Sequence, residues 1–355
     1  MTADAAFQAR FLAGDVRALA RGLSWLEAAD PRGERLLAAA RVAARGRAEA
    51  VRVVGLTGAP GAGKSTLADR LIEAWRARGQ RVAVLAVDPS SPYSGGALLG
   101  DRVRMTRWAG DHGVFVRSMA SRGRTGGLAP AALDALALLA AFGFDVVLLE
   151  TVGVGQAEVD IAAVADTTIV ALAPGQGDDV QAAKAGLMEI ADVFALTKAD
   201  RPGAERLSRD VRDAVGLRDA VGTPESAWRP VLVAVAAGAA ERPPGMAADG
   251  GIGDLLEALD AHAAHLLRSG EGDRRRSGRT RLAVEARGQA ALQAALANLP
   301  PERWAALAAG RATADALVAE ALVRTLRGLG GAEGAAAAVA AAAEVAAPEA
   351  DSGRG

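Results

Sequence analysis

The chain contains no cysteine, which removes disulfides, thiolate metal sites and cysteine nucleophiles together and suits a reducing compartment. Histidine is nearly as scarce: His112, His262 and His265 are the whole complement. His262 and His265 stand at i and i+3 on one helix face, but no Cys or acidic ligand set accompanies them. They read as solvated helix residues, and a nickel-insertion role is not expected. Aromatic residues amount to 3%, with one tyrosine (Tyr93), and the formal net charge is −1. Without stacking side chains or a net field, neither nucleic acid nor an anionic membrane is an expected partner, and the Arg274–Arg281 cluster reads as a solvated linker or a protein contact. Long apolar runs are lacking too, because Arg and Asp interrupt every candidate span, and crossing a bilayer takes about 20 apolar residues in succession. Met1 to Asp15 shows no basic segment followed by an apolar core, so no signal peptide is read. The expected location is the cytoplasm.

What the chain does have is size and apolar content. Its 355 residues, 51% of them hydrophobic and 23% charged, suffice for one large domain with helical appendages. Residues 5 to 48 carry apolar side chains at helical spacing, broken at Asp30-Pro31-Arg32-Gly33. From residue 51 the pattern becomes short apolar runs: Val53–Thr57, Val82–Val87, Val114–Arg117, Val146–Glu150, Thr168–Ala173, Val193–Thr197 and Val231–Val235. Helices are predicted around 64–78, 127–141, 180–190, 203–215 and 252–267. Continuous apolar strands alternating with helices predict an α/β fold, a doubly wound and mainly parallel sheet covered on both faces. Ligands of such sheets sit beyond the strand C-terminal ends.

One loop at such an end organises the rest. Gly58-Ala59-Pro60-Gly61-Ala62-Gly63-Lys64-Ser65, followed by Thr66, fits G-x-x-x-x-G-K-[ST], the Walker A pattern of a P-loop. It lies between an apolar run and a helical stretch, the context its chemistry needs. Glycines let the backbone close around phosphate oxygens, the loop and helix N–H groups favour an anion, Lys64 adds a positive charge, and the Ser65 hydroxyl can reach Mg²⁺. The expected organisation is a helical extension at 1–50, a P-loop nucleotide domain at 51–270, a helical arm at 271–330 and an Ala/Gly-rich tail at 331–355, compatible with a frayed helix or disorder.

Further strand ends carry acids. Asp88 closes the second run and Glu150 the fourth, positions from which a carboxylate can approach Mg²⁺ directly or through water. Asp101 sits in a Gly-rich loop and, taken alone, reads as a cap or a solvated charge. Pro174 to Lys184 reads as a turn entering a helix, with Asp178 a plausible cap and Gln181 and Lys184 sharing a face. Thr197-Lys198-Ala199-Asp200 resembles the N-K-x-D guanine motif of GTPases, with Thr in place of Asn. Asp200 can accept from the guanine ring N–H and exocyclic amine, and the Lys198 stem can lie over the base. Thr197 keeps a hydroxyl but loses the amide.

Gly58–Thr66, Asp88–Ser91, Gly95–Met105, Arg117–Leu128 and Glu150–Glu158, in this order, strongly resemble the MeaB/ArgK/MMAA family of metallochaperone-type GTPases, related to the hydrogenase and urease maturation GTPases. The resemblance covers roughly residues 50–270. It implies GTP or GDP as bound nucleotide, held by Gly58 through Thr66, Gly153, Lys198 and Asp200, with Val235 and Ala236 as the base-supporting element, where Val replaces the family's Ser. It implies Mg²⁺ handled by Ser65, Asp88, Asp101 and Glu150, and catalysis by Lys64, Asp101, Glu150 and Lys184. Residues 150–156 and 174–184 correspond to its second and third switches. The implied partner is an adenosylcobalamin-dependent acyl-CoA mutase, methylmalonyl-CoA mutase foremost, whose cofactor loading a slow GTPase would gate and which it would protect or reactivate. A homodimer through the C-terminal helices is implied as well. Two other readings remain: an ATP-dependent kinase with Arg117, Arg122 and Arg124 as a lid, and a nucleotide-dependent scaffold with negligible catalysis.

Overall fold

A computed structural model describes residues 3–44, 51–88, 106–120, 130–151, 157–175, 186–220, 227–238 and 245–325. Each of the apolar runs is a strand: β1 (Arg52–Thr57), β2 (Val82–Asp88), β3 (Val114–Ala120), β4 (Val146–Thr151), β5 (Thr167–Leu172), β6 (Val193–Leu196) and β7 (Val231–Ala234). They form one seven-stranded sheet in the order β3-β2-β4-β1-β5-β6-β7, and every neighbouring pair is parallel. β1 therefore lies between β4 and β5, with Leu56 opposite both Glu150 and Ile169. Strand order reverses across this point, and the loop after β1 opens into the crevice so formed.

Both faces are covered, as continuous apolar strands require. On one face Val54 and Leu56 pack with α4 (Lys64–Ala77) and α8 (Ile252–Ser269), through Leu71, Trp75, Leu255 and Leu259. On the other, Gly55 faces α6 (Ala157–Val164), an element the sequence reading missed. A Cβ on Gly55 would stand 2.4 Å from Ile161 Cγ2, so glycine sets the distance between this helix and the sheet. Here too α7 (Ala204–Ala220) packs Val211 and Leu207 against Phe194 and Leu196.

The N-terminal segment is three helices, not two: α1 (Ala3–Leu12), α2 (Val16–Glu27) and α3 (Pro31–Ala43). The unexpected break falls at Asp15, whose carboxylate accepts from the Arg17 and Ala18 N–H groups as an N-cap. Asp30 caps α3 in the same manner, with Pro31 in the first turn. These helices pack on α5 (Pro130–Phe142), where Phe11 meets Phe142, and Arg117 of β3 is paired with Glu27.

Two sequence expectations are corrected at the N-terminal end of the sheet. The polar run after Gly270 is not a linker but the start of α9 (Glu271–Ala297). Glu271 and Asp273 favour a helix N-terminus, and Arg275 bonds Glu271 one turn back. Arg275 also grips the Asp192 carboxylate at 2.8 and 2.9 Å and the Asp166 carbonyl at 2.9 Å, while Arg279 donates to Val164 O. Burial works against the Arg275 charge, but its bonds and charges with Asp192 and Glu271 outweigh that and raise its pKa. The second correction concerns His262, which is fully buried rather than solvated. Its Nδ1 lies 2.8 Å from Thr167 Oγ1, its Nε2 3.4 Å from Asp192, and Trp228 packs on its ring. Burial lowers its pKa to about 4, with Asp192 pulling the other way.

The described chain divides into two compact units between Arg281 and Leu282. The second is helical, comprising the rest of α9, α10 (Pro301–Ala308) and residues 314–325, with Leu299, Leu317 and Ala321 inside and Arg303 bonded to Glu320. No helix among the described residues is long and apolar enough to cross a membrane.

Candidate nucleotide-binding site

The loop leaving β1 turns on three positive φ angles, 140° at Gly58, 75° at Gly61 and 84° at Gly63. At Gly58 a side chain is excluded twice, since its Cβ would also stand 2.3 Å from the Ala171 carbonyl oxygen. Gly63 is the N-cap of α4 and brings no side chain to bond the first helical N–H groups. Those donors and the helix dipole face the loop, an arrangement suited to phosphate oxygens. Lys64 opens the helix, is only 8% exposed, and turns its Nζ to the carbonyls of Gly58 (2.6 Å) and Ala59 (3.1 Å). Its charge thus lies within the loop that would hold the anion.

Beside it, Ser65 Oγ donates to Glu150 Oε1 at 3.2 Å, and Glu150 is 1% exposed at the tip of β4. The two are joined because α4 begins where β1 ends and β4 is the neighbour of β1. One residue further, the hydroxyls of Thr57 and Thr151 meet at 3.3 Å and tie the same two strand tips. A hydroxyl and a carboxylate are hard oxygen donors that fit Mg²⁺, which keeps waters and phosphate oxygens as its remaining ligands. Among the described residues no three His, Asp or Glu are grouped so as to hold a metal ion by themselves. Asp88 ends β2, next to β4. Asp101, Gly153, Asp178, Gln181 and Lys184 lie outside the described residues, as do Arg122 and Arg124.

The tip of β6 is bound to the loop from outside. Thr197 Oγ1 lies 2.5 Å from Ala62 O and 2.9 Å from Leu172 O, so its single O–H has a carbonyl acceptor on either side and donates to one of them at a time. Threonine here supplies a loop tether without an amide. Lys198 takes φ 51°, a left-handed conformation, and its Nζ donates to Gly61 O at 2.7 Å. These two residues carry Asp200 to the rim of a pocket of about 160 Å³. Asp200 is exposed there, and Lys198, Arg201, Thr66, Leu67, Ala237 and Gly238 complete the wall. Val235 and Ala236, expected to support the base, have buried side chains; the Val235 carbonyl accepts from Ala199 N–H and its own N–H donates to Leu196 O, while Ala236 N–H donates to Gly250 O. The wall is made by the next two residues, Ala237 and Gly238. Arg201 was not anticipated either; standing just after the motif, it could have been suspected from position alone.

With this geometry in view, a family model described as Methylmalonyl Co-A mutase-associated GTPase MeaB matches residues 19–299. A protein of Pyrococcus abyssi is 50% identical over 218 residues, 61% of this chain and 64% of its own. The mouse protein named Methylmalonic aciduria type A homolog, mitochondrial, is 35% identical over 218 residues, 61% of this chain and 50% of its own. GTPase ArgK of Escherichia coli is 46% identical over 147 residues, 41% and 44% of the two chains. A solved structure of a protein named LAO/AO transport system kinase superposes with a TM-score of 0.59 at 25% identity, over 90% of this chain and 96% of that one. The chain thus spans less than two thirds of the length of these curated relatives.

Proposed function

Because the chain belongs to the family of methylmalonyl-CoA mutase-associated GTPases, MeaB, we propose that it binds guanine nucleotide at the tips of β1, β4 and β6 and hydrolyses GTP. The observation that carries this reading is the physical link between base pocket and phosphate loop: Thr197 and Lys198 bond Ala62 O and Gly61 O while placing Asp200 on the pocket rim. An acid at that rim selects the paired donors of guanine, which adenine arranges differently.

The chain's own groups then divide the work. Loop N–H groups and Lys64 stabilise charge on the transferring phosphoryl group, Lys64 exchanging its loop carbonyls for phosphate oxygens. Ser65 and Glu150 would hold Mg²⁺, with Asp88 and Asp101 as further acids of the set. When bound, that ion neutralises charge on the phosphates. Gly153 would sense the γ-phosphate, and Lys184 would complete the charge stabilisation when a partner docks. Water is the attacking nucleophile, and slow intrinsic turnover follows from a site incomplete without the partner.

That partner is proposed to be an adenosylcobalamin-dependent acyl-CoA mutase, methylmalonyl-CoA mutase foremost, whose cofactor loading the nucleotide state gates and which the GTPase protects or reactivates. The two nucleotide states would bind it with different free energies. A homodimer through the arm from 271 to 330, acting in the cytoplasm, completes the reading. The test is a two-component assay of purified chain and mutase with labelled GTP. Free phosphate released faster in the presence of the mutase is expected; an unchanged rate would sink the coupling. The solved relative named as a transport system kinase favours one second reading, phosphoryl transfer from ATP to an acceptor. Label found on an acceptor rather than in free phosphate would decide for it.

A further inference from the structure

Of the 41 lysine and arginine residues in the chain, only Lys64, Lys184 and Lys198 are lysine. All three fall in segments assigned above to the nucleotide: the phosphate loop, the stretch after β5 and the tip of β6. Every other side-chain cation is arginine, which stays protonated in proteins and offers no amine nucleophile. A lysine that gives up its proton becomes a primary amine able to attack a carbonyl carbon. An acyl group that reaches a side-chain amine of this protein therefore reaches the nucleotide site.

The two described lysines differ in access. Lys64 is buried beneath the loop, its Nζ directed at Gly58 O and Ala59 O. Lys198 lines the open pocket, and its bond with Gly61 O is exposed. We propose that Lys198 is a modification site for acyl donors of the thioester class, and that its acylation switches the nucleotide site off. In the step, the ammonium first releases a proton to water. The amine nitrogen attacks the thioester carbonyl carbon, and a C–N bond forms as the C–S bond breaks. The nitrogen's next proton passes to the departing thiolate, giving a free thiol and a neutral amide on Lys198. The product has lost the cation that braces Gly61 O and has gained bulk inside the wall formed by Asp200, Ala237 and Gly238. This second half rests on the reading of that pocket as the base site, since a base seated there would both need the space and shield the amine.

The experiment incubates the full chain with acetyl-CoA at mildly alkaline pH, with and without Mg²⁺-GTP. Peptide mass spectrometry follows each lysine and the α-amine, and calorimetry follows GTP binding. Lys198 is expected to react about tenfold ahead of Lys64, the ratio given by roughly 1.4 kcal/mol of difference in access. GTP should slow it, and binding capacity should fall in proportion to Lys198 occupancy. Lys198→Arg should abolish label at that position. Label arriving first on Lys64, or full affinity in a chain acetylated at Lys198, would overturn the proposal. An untreated chain that binds no GTP would instead overturn the base-site reading and the switch with it, while the order of labelling would still decide the acceptor.

Discussion

The two ends of the sheet are built on opposite terms. At the N-terminal end, charged groups are spent on one another: Arg275 on Asp192 and Glu271, and Arg279 on Asp166. At the C-terminal end the same strands present glycines, a helix start without a side-chain cap, and lysines resting on loop carbonyls. A lysine's bond to a carbonyl is a charge–dipole one, weaker than the charge–charge bond it can make with a phosphate. A guanidinium clamped between carboxylates already makes the stronger kind. The first end holds the fold, and the second carries the groups assigned above to the proposed nucleotide.

This contrast makes predictions that can separate stability from binding. Asp192→Ala should have the largest effect. It strips Arg275 and His262 of their shared carboxylate and should cost about 3–5 kcal/mol, read as a lowered denaturation midpoint, with GTP affinity of the remaining folded protein nearly unchanged. A selective loss of affinity would break the comparison. Lys64→Ala should do the reverse, lowering turnover by about 10²–10³-fold while moving the midpoint far less than Asp192→Ala does.

His262 allows a finer test through pH. Its pKa is lowered to about 4 in the folded chain from 6.5 as the ordinary value, so between these values the unfolded chain binds the extra proton. Stability is then fully present above about pH 6.5 and drains away as pH falls towards 4, by at most about 3 kcal/mol. Denaturation of His262→Gln across that window should show a shallower slope than the natural chain; an identical slope would mean that other groups set the pH dependence. The smallest effect is expected of Thr197→Val, about 1 kcal/mol for one lost hydrogen bond, appearing as a several-fold rise in KM for GTP with kcat little altered.

The sheet was legible because its central strands are uninterrupted apolar runs buried on both faces, and the edge strands, though half-buried, keep the same apolar pattern. The turn after β1 was legible because the spacing of Gly58, Gly61 and Gly63 within a few residues carries it. His262 was not. Its burial depends on Thr167, Asp192 and Trp228, remote in sequence, and its own helical neighbourhood suggested an exposed face. The start of α9 failed similarly: a run of arginines looks solvated until Asp192 and Asp166 are brought against it. That Ala237 and Gly238 line the pocket while Val235 and Ala236 stay buried is set by the backbone turn after β7 rather than by residue type.

The central claim, a guanine nucleotide seated between the glycine loop and Asp200, is tested most directly by calorimetry of the full chain with Mg²⁺ and GTP, ATP or xanthosine triphosphate. GTP should bind at least about tenfold more tightly than ATP, as expected for one bidentate carboxylate contact, and Asp200→Asn should shift the preference towards the xanthine nucleotide. Equal affinity for GTP and ATP, or a preference that Asp200→Asn leaves in place, would contradict the account.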